Sequence, residues 1–309
     1  MQGERRESVK PRTILLALAL LTGFAVTARA QFFGPGPTSP YYVTQGGAIY
    51  VVQGSPWGPI VTRFPDAYGG NEGVLAVSCG VPGPCDAYSP GSIRTRLGDG
   101  RDSGGTGGVY TLNGTPTGVS YFVNQDNLEI FDGTSGPGGN YFVDHAPYLD
   151  YGSVYRADFY WQNQSVLFGQ DQVIRPTGIT YDPYDKSLWL SDGPSDIIAE
   201  YSLDGRLLYE FHTGLNGNSA LAFDPADGTL WMTTGSGGNL HECVPGRGVC
   251  LEQWSTTGQP LQFGNVPSLP ISVLAAGEMA EPTPEPGTIL LVGSGVLGLA
   301  GFLRGKLLR

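Results

Sequence analysis

The chain has 309 residues, of which 48 are glycine and 24 are proline, and only 15% of its residues are charged. This composition disfavours a helical protein and is typical of many short strands joined by turns. Eight of the 17 basic residues lie at the two ends of the chain, so residues 31–303 carry 9 Lys/Arg against 26 Asp/Glu, a net charge of −17. A domain this acidic repels phosphate backbones, so we exclude nucleic acid as a partner.

The first 30 residues have the three-part pattern of a secretion signal. A polar, basic segment (1–12) is followed by the apolar run 14–26 and then by small residues at Ala28 and Ala30. This order is typical of a signal peptide with an A-x-A site, so we expect 1–30 to be removed by cleavage after Ala30. The apolar run of about 13 residues is short for a membrane span, and an uncleaved anchor is the less favoured alternative.

The C-terminal end predicts a membrane-crossing sorting segment. Pro284, Glu285 and Pro286 precede 287–303, which is free of charge, and basic residues follow in the tail 304–309. As a helix, 287–303 would be about 25 Å long, at the short end of what crosses a bilayer. Basic residues directly after such a helix remain cytoplasmic, which places the preceding domain outside the membrane.

Pro284-Glu285-Pro286, the Gly-rich apolar helix and the basic end together resemble the PEP-CTERM sorting signal. The resemblance covers about 26 residues and is specific through the order of its parts. It implies a Gram-negative bacterium, with an exosortase and the secretion machinery as partners. It also implies that the tail is cut near Pro-Glu-Pro and that the protein reaches the exopolysaccharide layer. An ordinary single-pass anchor is the alternative, and membrane attachment before processing is compatible with both.

The four cysteines form two local pairs. Cys79 and Cys85 enclose GVPGP, whereas Cys243 and Cys250 enclose VPGRGV. Each Val-Pro-Gly loop turns sharply, and in an oxidising compartment this favours disulfides within each pair. A metal site is the rival interpretation, but His241 is the one histidine near these cysteines in the sequence.

Between the ends, the sequence predicts a leader (31–40), a β-rich domain (41–278) and a linker (279–286). The domain contains an internal repeat: Asp182 and Asp224 are 42 residues apart, as are Trp189 and Trp231. Each copy has short runs separated by Asp-Pro, Asp-Gly or Gly-rich turns, and its length is that of one propeller blade.

We therefore predict an all-β fold with propeller-like repeats and five blades, with six as the alternative. A third copy is expected to begin at Pro116, because PTGVSY there resembles PTGITY at 176. The segment 271–275 is expected to complete the first blade and so to close the ring. The predicted blades are 271–275 with 46–66, 72–114, 116–172, 176–215 and 218–265. An irregular β-sandwich with a chance duplication is the competing interpretation.

The copies within 176–265 resemble the NHL-type and gluconolactonase-like propeller repeat, with the pattern G-I-x-x-D-P, L-W-x-x-D and I-x-x-Y. In lactonase-like propellers acidic and amide side chains from several inner strands converge on calcium. Here the expected inner strands 178–181 and 220–223 contain no Asp or Glu, which departs from that pattern.

We assign no catalytic residue and no metal ligand from the sequence. His145, His212 and His241 are not paired at zinc spacing, and His212 is expected to be exposed. Asp182 and Asp224 are expected to form Asx-type turns, although calcium held by them or by Asp192 and Asp196 is the alternative.

Tyr155, Phe159, Tyr160 and Trp161 form a dense aromatic cluster. Buried, these rings would fill the space between blades; exposed, they would stack on sugar faces.

The favoured hypothesis is an exported, exosortase-sorted protein of the cell envelope or exopolysaccharide matrix that binds through its propeller without catalysis. The alternatives are an extracellular calcium-dependent lactonase or lyase, and a periplasmic scaffold that binds another protein.

Overall fold

A computed structural model describes residues 32–280 with several internal gaps. The described part contains 21 strands, and no helix in it could cross a membrane. The predicted signal peptide, most of the linker and the sorting tail lie outside it, together with Cys79, Cys85 and Cys243. The gaps are 45–46, 56–59, 66, 69–71, 79–90, 98–104, 124–127, 129, 146–151, 170–174, 194, 215–216, 235–248, 267–268 and 270–275.

The strands form five antiparallel sheets, each with four strands in a meander and one with an added edge strand. Blade 1 contains β2 (Tyr41–Thr44), β3 (Ala48–Gln53), β4 (Ile60–Pro65) and β21 (Ala276–Met279). Blade 2 contains β5 (Glu72–Ser78), β6 (Ser92–Leu97), β7 (Gly105–Thr111) and β8 (Pro116–Val123). Blade 3 contains β9 (Ile130–Gly136), β10 (Gly139–His145), β11 (Gly152–Ala157) and β12 (Ser165–Gly169). Blade 4 contains β13 (Pro176–Asp182), β14 (Ser187–Asp192), β15 (Ile197–Ser202) and β16 (Leu207–His212). Blade 5 contains β17 (Asn218–Asp224), β18 (Thr229–Thr234), β19 (Val249–Ser255), β20 (Pro260–Val266) and β1 (Phe32–Phe33).

The inner strands contact one another in the ring order β21, β5, β9, β13, β17 and again β21. No single blade can bury both of its faces, so the sheets are stable only as a closed ring. The architecture is a five-bladed β-propeller, which confirms the predicted fold class and the predicted number of blades.

The ring is closed as expected, by a C-terminal strand that completes the first blade, but the strand lies later than predicted. β21 pairs with β2, with Tyr41 opposite Met279 and Thr44 opposite Ala276. The predicted strand 271–275 lies outside the described residues. The sequence analysis placed 276–278 at the end of the domain and Met279 at the start of the linker, whereas all four residues belong to β21.

The expected leader also belongs to the last blade. Phe32 and Phe33 pair with Gly264 and Phe263 of β20, so β1 covers the outer edge of blade 5. Further along, the backbone N–H of Ser39 donates to Oδ2 of Asp224 at 3.2 Å. The propeller therefore begins at residue 32, about nine residues before the predicted start of the domain.

The predicted third repeat at Pro116 is wrong. PTGVSY lies in β8, the outer strand of blade 2, and most of β8 is exposed, whereas PTGITY at 176 lies in the buried inner strand β13. β8 pairs with β7, with Gly105 opposite Val123. The inner strand of blade 3 is β9, and its sequence IFDGTSG carries an acid where the other copies have apolar residues.

The tryptophans of the two clearest repeats fill the spaces between blades. Trp189 packs with Leu221 and Phe223 of the next blade, and Trp231 packs with Tyr41 and Val43 of blade 1. Both indoles lie on the second strand of their blade and are buried. Burial of side chains this large makes a major contribution to the stability of each blade interface.

At the axis of the ring, one carboxylate joins four blades. Oδ1 of Asp132 accepts hydrogen bonds from the backbone N–H groups of Gly133 (2.9 Å) and Gly277 (3.0 Å). Oδ2 accepts from those of Ile179 (3.0 Å) and Leu221 (3.2 Å). The donors belong to β9, β21, β13 and β17, and Asp132 itself is fully buried.

We predict that Asp132→Asn lowers the free energy of unfolding by about 3 kcal/mol, because the side-chain NH₂ would face two backbone donors that then lose their acceptor. Urea unfolding of the purified protein measures this change. Asp204→Asn, at an exposed turn of blade 4, is the control and should change the value by less than about 0.5 kcal/mol. Equal, small effects of the two substitutions would contradict the role given to Asp132.

Candidate functional site

The histidines do not form a common site in the described residues. His212 is at the end of β16, with 66% of its side chain exposed, and its Nδ1 lies 2.8 Å from Oδ1 of Asp196. His212 is thus exposed, as predicted. His145 is the last residue of β10, and His241 is outside the described part.

The turn interpretation of Asp182 and Asp224 is confirmed. Oδ1 of Asp182 accepts the backbone N–H of Tyr184 at 2.8 Å, and Oδ1 of Asp224 accepts that of Ala226 at 2.9 Å. Such bonds to the residue two positions ahead define Asx turns. These two carboxylates therefore have structural partners in both repeats.

Blade 4 nevertheless groups three carboxylates, from Asp182, Asp185 and Glu200, whose oxygens lie within 4.8 Å of one another. Burial, as the main cause, raises the pKa of Asp182 and of Glu200. In blade 5 the position of Glu200 is taken by Gln253, since each of the two lies opposite the tryptophan of its blade. Nε2 of Gln253 donates to Oδ2 of Asp227 at 3.0 Å. Among the described residues, the three acids of blade 4 are the group that could hold a cation such as calcium.

The axis contains a second acid, Glu278 of the closing strand, beside Asp132. Its Oε1 accepts from Oγ1 of Thr180 (3.1 Å) and from the backbone N–H of Met279 (3.0 Å). Its Oε2 is buried with no hydrogen-bond partner among the residues that the structure describes. Burial raises the pKa of Glu278 to about 8, so this group is largely a neutral carboxyl at neutral pH. Neither axial acid was identified from the sequence, because the inner strands of blades 1 and 3 were expected elsewhere.

The second unusual group of buried charges lies between blades 2 and 3. Arg94 and Arg96 alternate on β6, the second strand of blade 2, and both are buried. In blades 4 and 5 the second strand presents a tryptophan to the next blade, whereas here it presents arginines. Arg96 is 0% exposed, and none of its three guanidinium nitrogens has a hydrogen-bond partner in the part of the chain that the structure describes.

Aromatic rings of blade 3 surround these arginines. The guanidinium carbon of Arg96 lies 4.9 Å from the ring centre of Phe142 and 5.7 Å from that of Trp161. That of Arg94 lies 5.6 Å from the ring centre of Phe159 and 6.0 Å from that of Tyr160. We call this group of two arginines and four rings the arginine cleft.

The aromatic cluster predicted from the sequence thus divides into buried and exposed rings. Trp161 is fully buried and fills the blade interface, whereas Tyr160 is 48% exposed at the outer end of the arginine cleft. Tyr155 stacks on Phe142 with ring centres 5.1 Å apart. The arginines were not identified from the sequence. Their i, i+2 spacing places both side chains on one face of a strand, and this is a usable signal in a chain with few charges.

Trp161 occupies a turn position that three other blades give to glycine. In the turn from Asp158 to Gln162, the backbone N–H of Trp161 donates to the carbonyl of Asp158, and that of Asp158 to the carbonyl of Gln162. The same pair of bonds closes the turns that contain Gly114, Gly205 and Gly258. Those glycines have φ of 83°, 82° and 78°, and Trp161 has φ of 59°. A bulky residue in this left-handed region costs on the order of 1 kcal/mol or more, so its packing must offset that strain.

The surroundings of this turn fit the tryptophan. Oδ1 of Asp158 accepts the backbone N–H groups of Tyr160 (2.9 Å) and Gln162 (2.8 Å), which fixes the turn. A Cβ atom at Gly133 would lie 2.5 Å from Cη2 of Trp161, so glycine at this position leaves room for the indole. The indole Nε1 is buried without a hydrogen-bond partner among the described residues.

The electrostatics of the arginine cleft are unfavourable for Arg96. Burial is the main cause that lowers the pKa of Arg96 to about 9, opposed by Tyr121 and Asp144. The group still carries its charge at neutral pH. Stacking on two rings contributes about 1–2 kcal/mol, less than the several kcal/mol that removing a cation from water costs.

Of the four cysteines, the structure describes Cys250, which lies in β19 and is in a disulfide. Its Sγ lies 3.4 Å from Oε1 of the buried Glu252. The pairing with Cys243 and the pairing of Cys79 with Cys85 remain predictions.

Similar solved structures share the propeller fold at low sequence identity. A chain in a nidogen/laminin complex is 14% identical, with 79% of this chain and 100% of that chain covered and a TM-score of 0.51. A streptogramin B lyase is 16% identical, covering 77% and 75%, with a TM-score of 0.39. A protein of unknown function from Bacteroides caccae is 12% identical, covering 74% and 73%, with a TM-score of 0.41. No protein-family model and no curated protein matches the sequence. At these identities the comparisons establish the fold alone.

We predict a pH-dependent contribution of Glu278 to stability. The unfolded carboxyl titrates near its usual value of 4.5 and the folded one at about 8, so unfolding releases a proton between these values. The contribution of Glu278 to the free energy of unfolding is therefore largest below about pH 4.5. It falls as the pH rises and does not change further above about pH 8. Glu278→Gln removes this titration. The free energy of unfolding of the variant minus that of the wild type should therefore be about 2–4 kcal/mol more positive at pH 8.5 than at pH 5.

Urea unfolding of the wild type and of Glu278→Gln at the two pH values checks this. Glu252, whose pKa burial raises to about 7, titrates in the same range in both proteins and cancels in the comparison. A difference between the two proteins that does not change with pH would contradict the prediction.

Proposed function

We propose that the chain is an exported, non-enzymatic binding propeller that acts in the cell envelope or exopolysaccharide layer and binds polysaccharide at the outer end of the arginine cleft. The observation that carries the binding role is the exposed Tyr160 ring held beside a buried arginine. Rings with one face in water and one on protein are suited to stacking on the apolar faces of sugars.

Neighbouring groups extend this surface with polar and aromatic side chains. Nε2 of Gln162 donates to the carbonyl of Phe122 at 3.4 Å, which joins the turn of blade 3 to the outer strand of blade 2. The Phe122 side chain is 61% exposed, and Gln162 and Asn163 are also exposed. A sugar chain that lies across two blades would find both ring faces and hydrogen-bonding amides there.

The axial carboxylate supports a binding role rather than a catalytic one. All four hydrogen bonds that Asp132 accepts come from backbone groups of the inner strands, so both of its side-chain oxygens are engaged in holding the ring together. A general acid or base would need a lone pair or proton directed at a substrate.

The proposal of export rests on the two ends of the sequence. Ala28 and Ala30 end a signal-peptide pattern, and Pro284-Glu285-Pro286 begins a pattern that resembles the exosortase signal. We predict that the native protein has the mass of residues 31 to about 285 and is found in the matrix or the medium. Intact-mass spectrometry of cell fractions checks this. A mass that retains 287–309 in the membrane fraction would instead indicate an anchored protein with a partner at the cell surface.

We predict that Tyr160→Ala weakens retention of the purified protein on immobilised polysaccharides about five- to tenfold, because an exposed ring contributes about 1 kcal/mol of stacking. The test uses a panel of neutral and uronate-containing polymers. Tyr184→Ala, which removes an exposed tyrosine of blade 4, is the matched control and should bind as the wild type does. No retention of the wild type on any polymer, or an equal loss for both variants, would contradict the proposed surface.

A further inference from the structure

We propose that Arg96 is a binding site for a carboxylate group of an acidic saccharide, and that Trp161 covers this site until the ligand displaces it. The inference rests on the proposed function, since it adds the class of sugar that the same cleft recognises. It would make the protein selective for uronate-containing chains over neutral ones.

The guanidinium of Arg96 has hydrogen-bond donors that no described residue satisfies. A guanidinium presents up to five N–H donors in a planar fork, and it binds a carboxylate through two parallel hydrogen bonds. In the described residues none of the nitrogens of Arg96 donates to an acceptor, although the side chain is completely buried. Asp144 favours the charged form of Arg96 but accepts no hydrogen bond from it. Buried cations are ordinarily paired through hydrogen bonds, so we expect a hydrogen-bonding anion at this position.

Access of a ligand to the buried Arg96 requires one of the rings that cover it to move. Arg96 is stacked between Phe142, which belongs to strand β10, and Trp161, which belongs to a turn. Trp161 has the left-handed φ that glycine adopts in the corresponding turns of blades 2, 4 and 5. Trp161 lies between strands β11 and β12, so a change in the backbone of this turn would move the indole out and relieve the strain without breaking the ladder of blade 3. The turn is therefore the element that opens, and Arg94 with Tyr160 lies on the path between Arg96 and the surface.

The negative charge of the protein limits the kind of anion that can bind. The domain 31–303 carries a net charge of −17, so a densely charged polyanion would be repelled over long distances. At physiological salt this repulsion is screened beyond about 8 Å, whereas a buried ion pair is screened much less. These opposing effects favour a short or sparsely charged chain with one carboxylate placed at Arg96 and neutral sugar faces against the rings.

The experiment measures binding of a galacturonate tetramer and of its methyl ester, which lacks the charge, to the purified protein. The tryptophan emission is followed together with the affinity. We expect the tetramer to bind at least tenfold more tightly than the ester and to shift the emission to longer wavelength as Trp161 enters water. Trp161→Phe should bind the tetramer without that shift. Sodium sulfate is included as a competitor, and stronger binding of sulfate than of the tetramer would overturn the carboxylate assignment.

Three further variants separate a ligand site from a packing role. Arg96→Met should lose tenfold or more in affinity for the tetramer, while its melting temperature stays equal or rises, because an apolar side chain replaces an unpaired buried charge. Arg63→Met removes an exposed arginine that stacks on Tyr50 in blade 1, and should change neither quantity. Trp161→Gly, which restores the turn of the other blades, should bind the tetramer at least as tightly as the wild type.

The outcomes also distinguish this inference from the proposed function. Equal binding of tetramer and ester, with Arg96→Met unaffected, overturns the Arg96 site and leaves the polysaccharide-binding surface in place. Loss of tetramer binding in Trp161→Gly overturns the covering role, and a clearly lower melting temperature of Arg96→Met assigns Arg96 to packing. Binding of neither ligand by the wild type overturns the inference and removes uronates from the polymers to which the proposed function applies.

Discussion

The ring depends on the carboxylate of Asp132 at its axis. A propeller with five blades brings its inner strands so close together that their N–H groups at the axis face one another and are cut off from water. Four such groups, from four strands, donate to one buried side chain. Burying these four N–H groups without an acceptor would cost more free energy than their hydrogen bonds contribute. The side chain of Asp132 removes this cost and so makes closure of the ring possible. Glu278 on the closing strand extends the same polar centre through Thr180.

This use of the axis explains where the binding surface is expected. Asp132 on an inner strand is committed to holding the blades together, whereas the buried guanidinium of Arg96, between blades 2 and 3, donates no hydrogen bond to any residue that the structure describes. There the second strand carries arginines in place of the usual apolar filling, and the next blade supplies rings to cover them. The same turn is built in four blades, and in one of them glycine is replaced by tryptophan. Positions that break a local rule in one repeat alone are where function is expected in repeat proteins.

Much of this fold could be predicted from the sequence, because its signals are local. The 42-residue spacing of Trp189 and Trp231 gave the blade length, and the Asp-Pro turns gave the strand order of blades 4 and 5. The blade 2–3 boundary could not be found this way: PTGVSY and PTGITY look alike, and only pairing with β7 decides that the first is an outer strand. The axial acids could not be recognised because the inner strands of blades 1 and 3 were expected at 271–275 and at Pro116. The hydrogen bonds of Asp132 and Glu278 also join residues that are far apart in the sequence. The arginine cleft likewise depends on contacts between residues 94–96 and 142–161, which no local pattern reveals.

The measurement that tests this account most directly is native-state hydrogen exchange of the amides of Gly133, Ile179, Leu221 and Gly277. If Asp132 joins the four blades, these amides exchange only when the whole ring unfolds. They should then share one rate, the slowest in the protein, although they lie in four different strands. Exchange of any of the four by local opening, at a rate orders of magnitude faster than the others, would contradict the central role of Asp132.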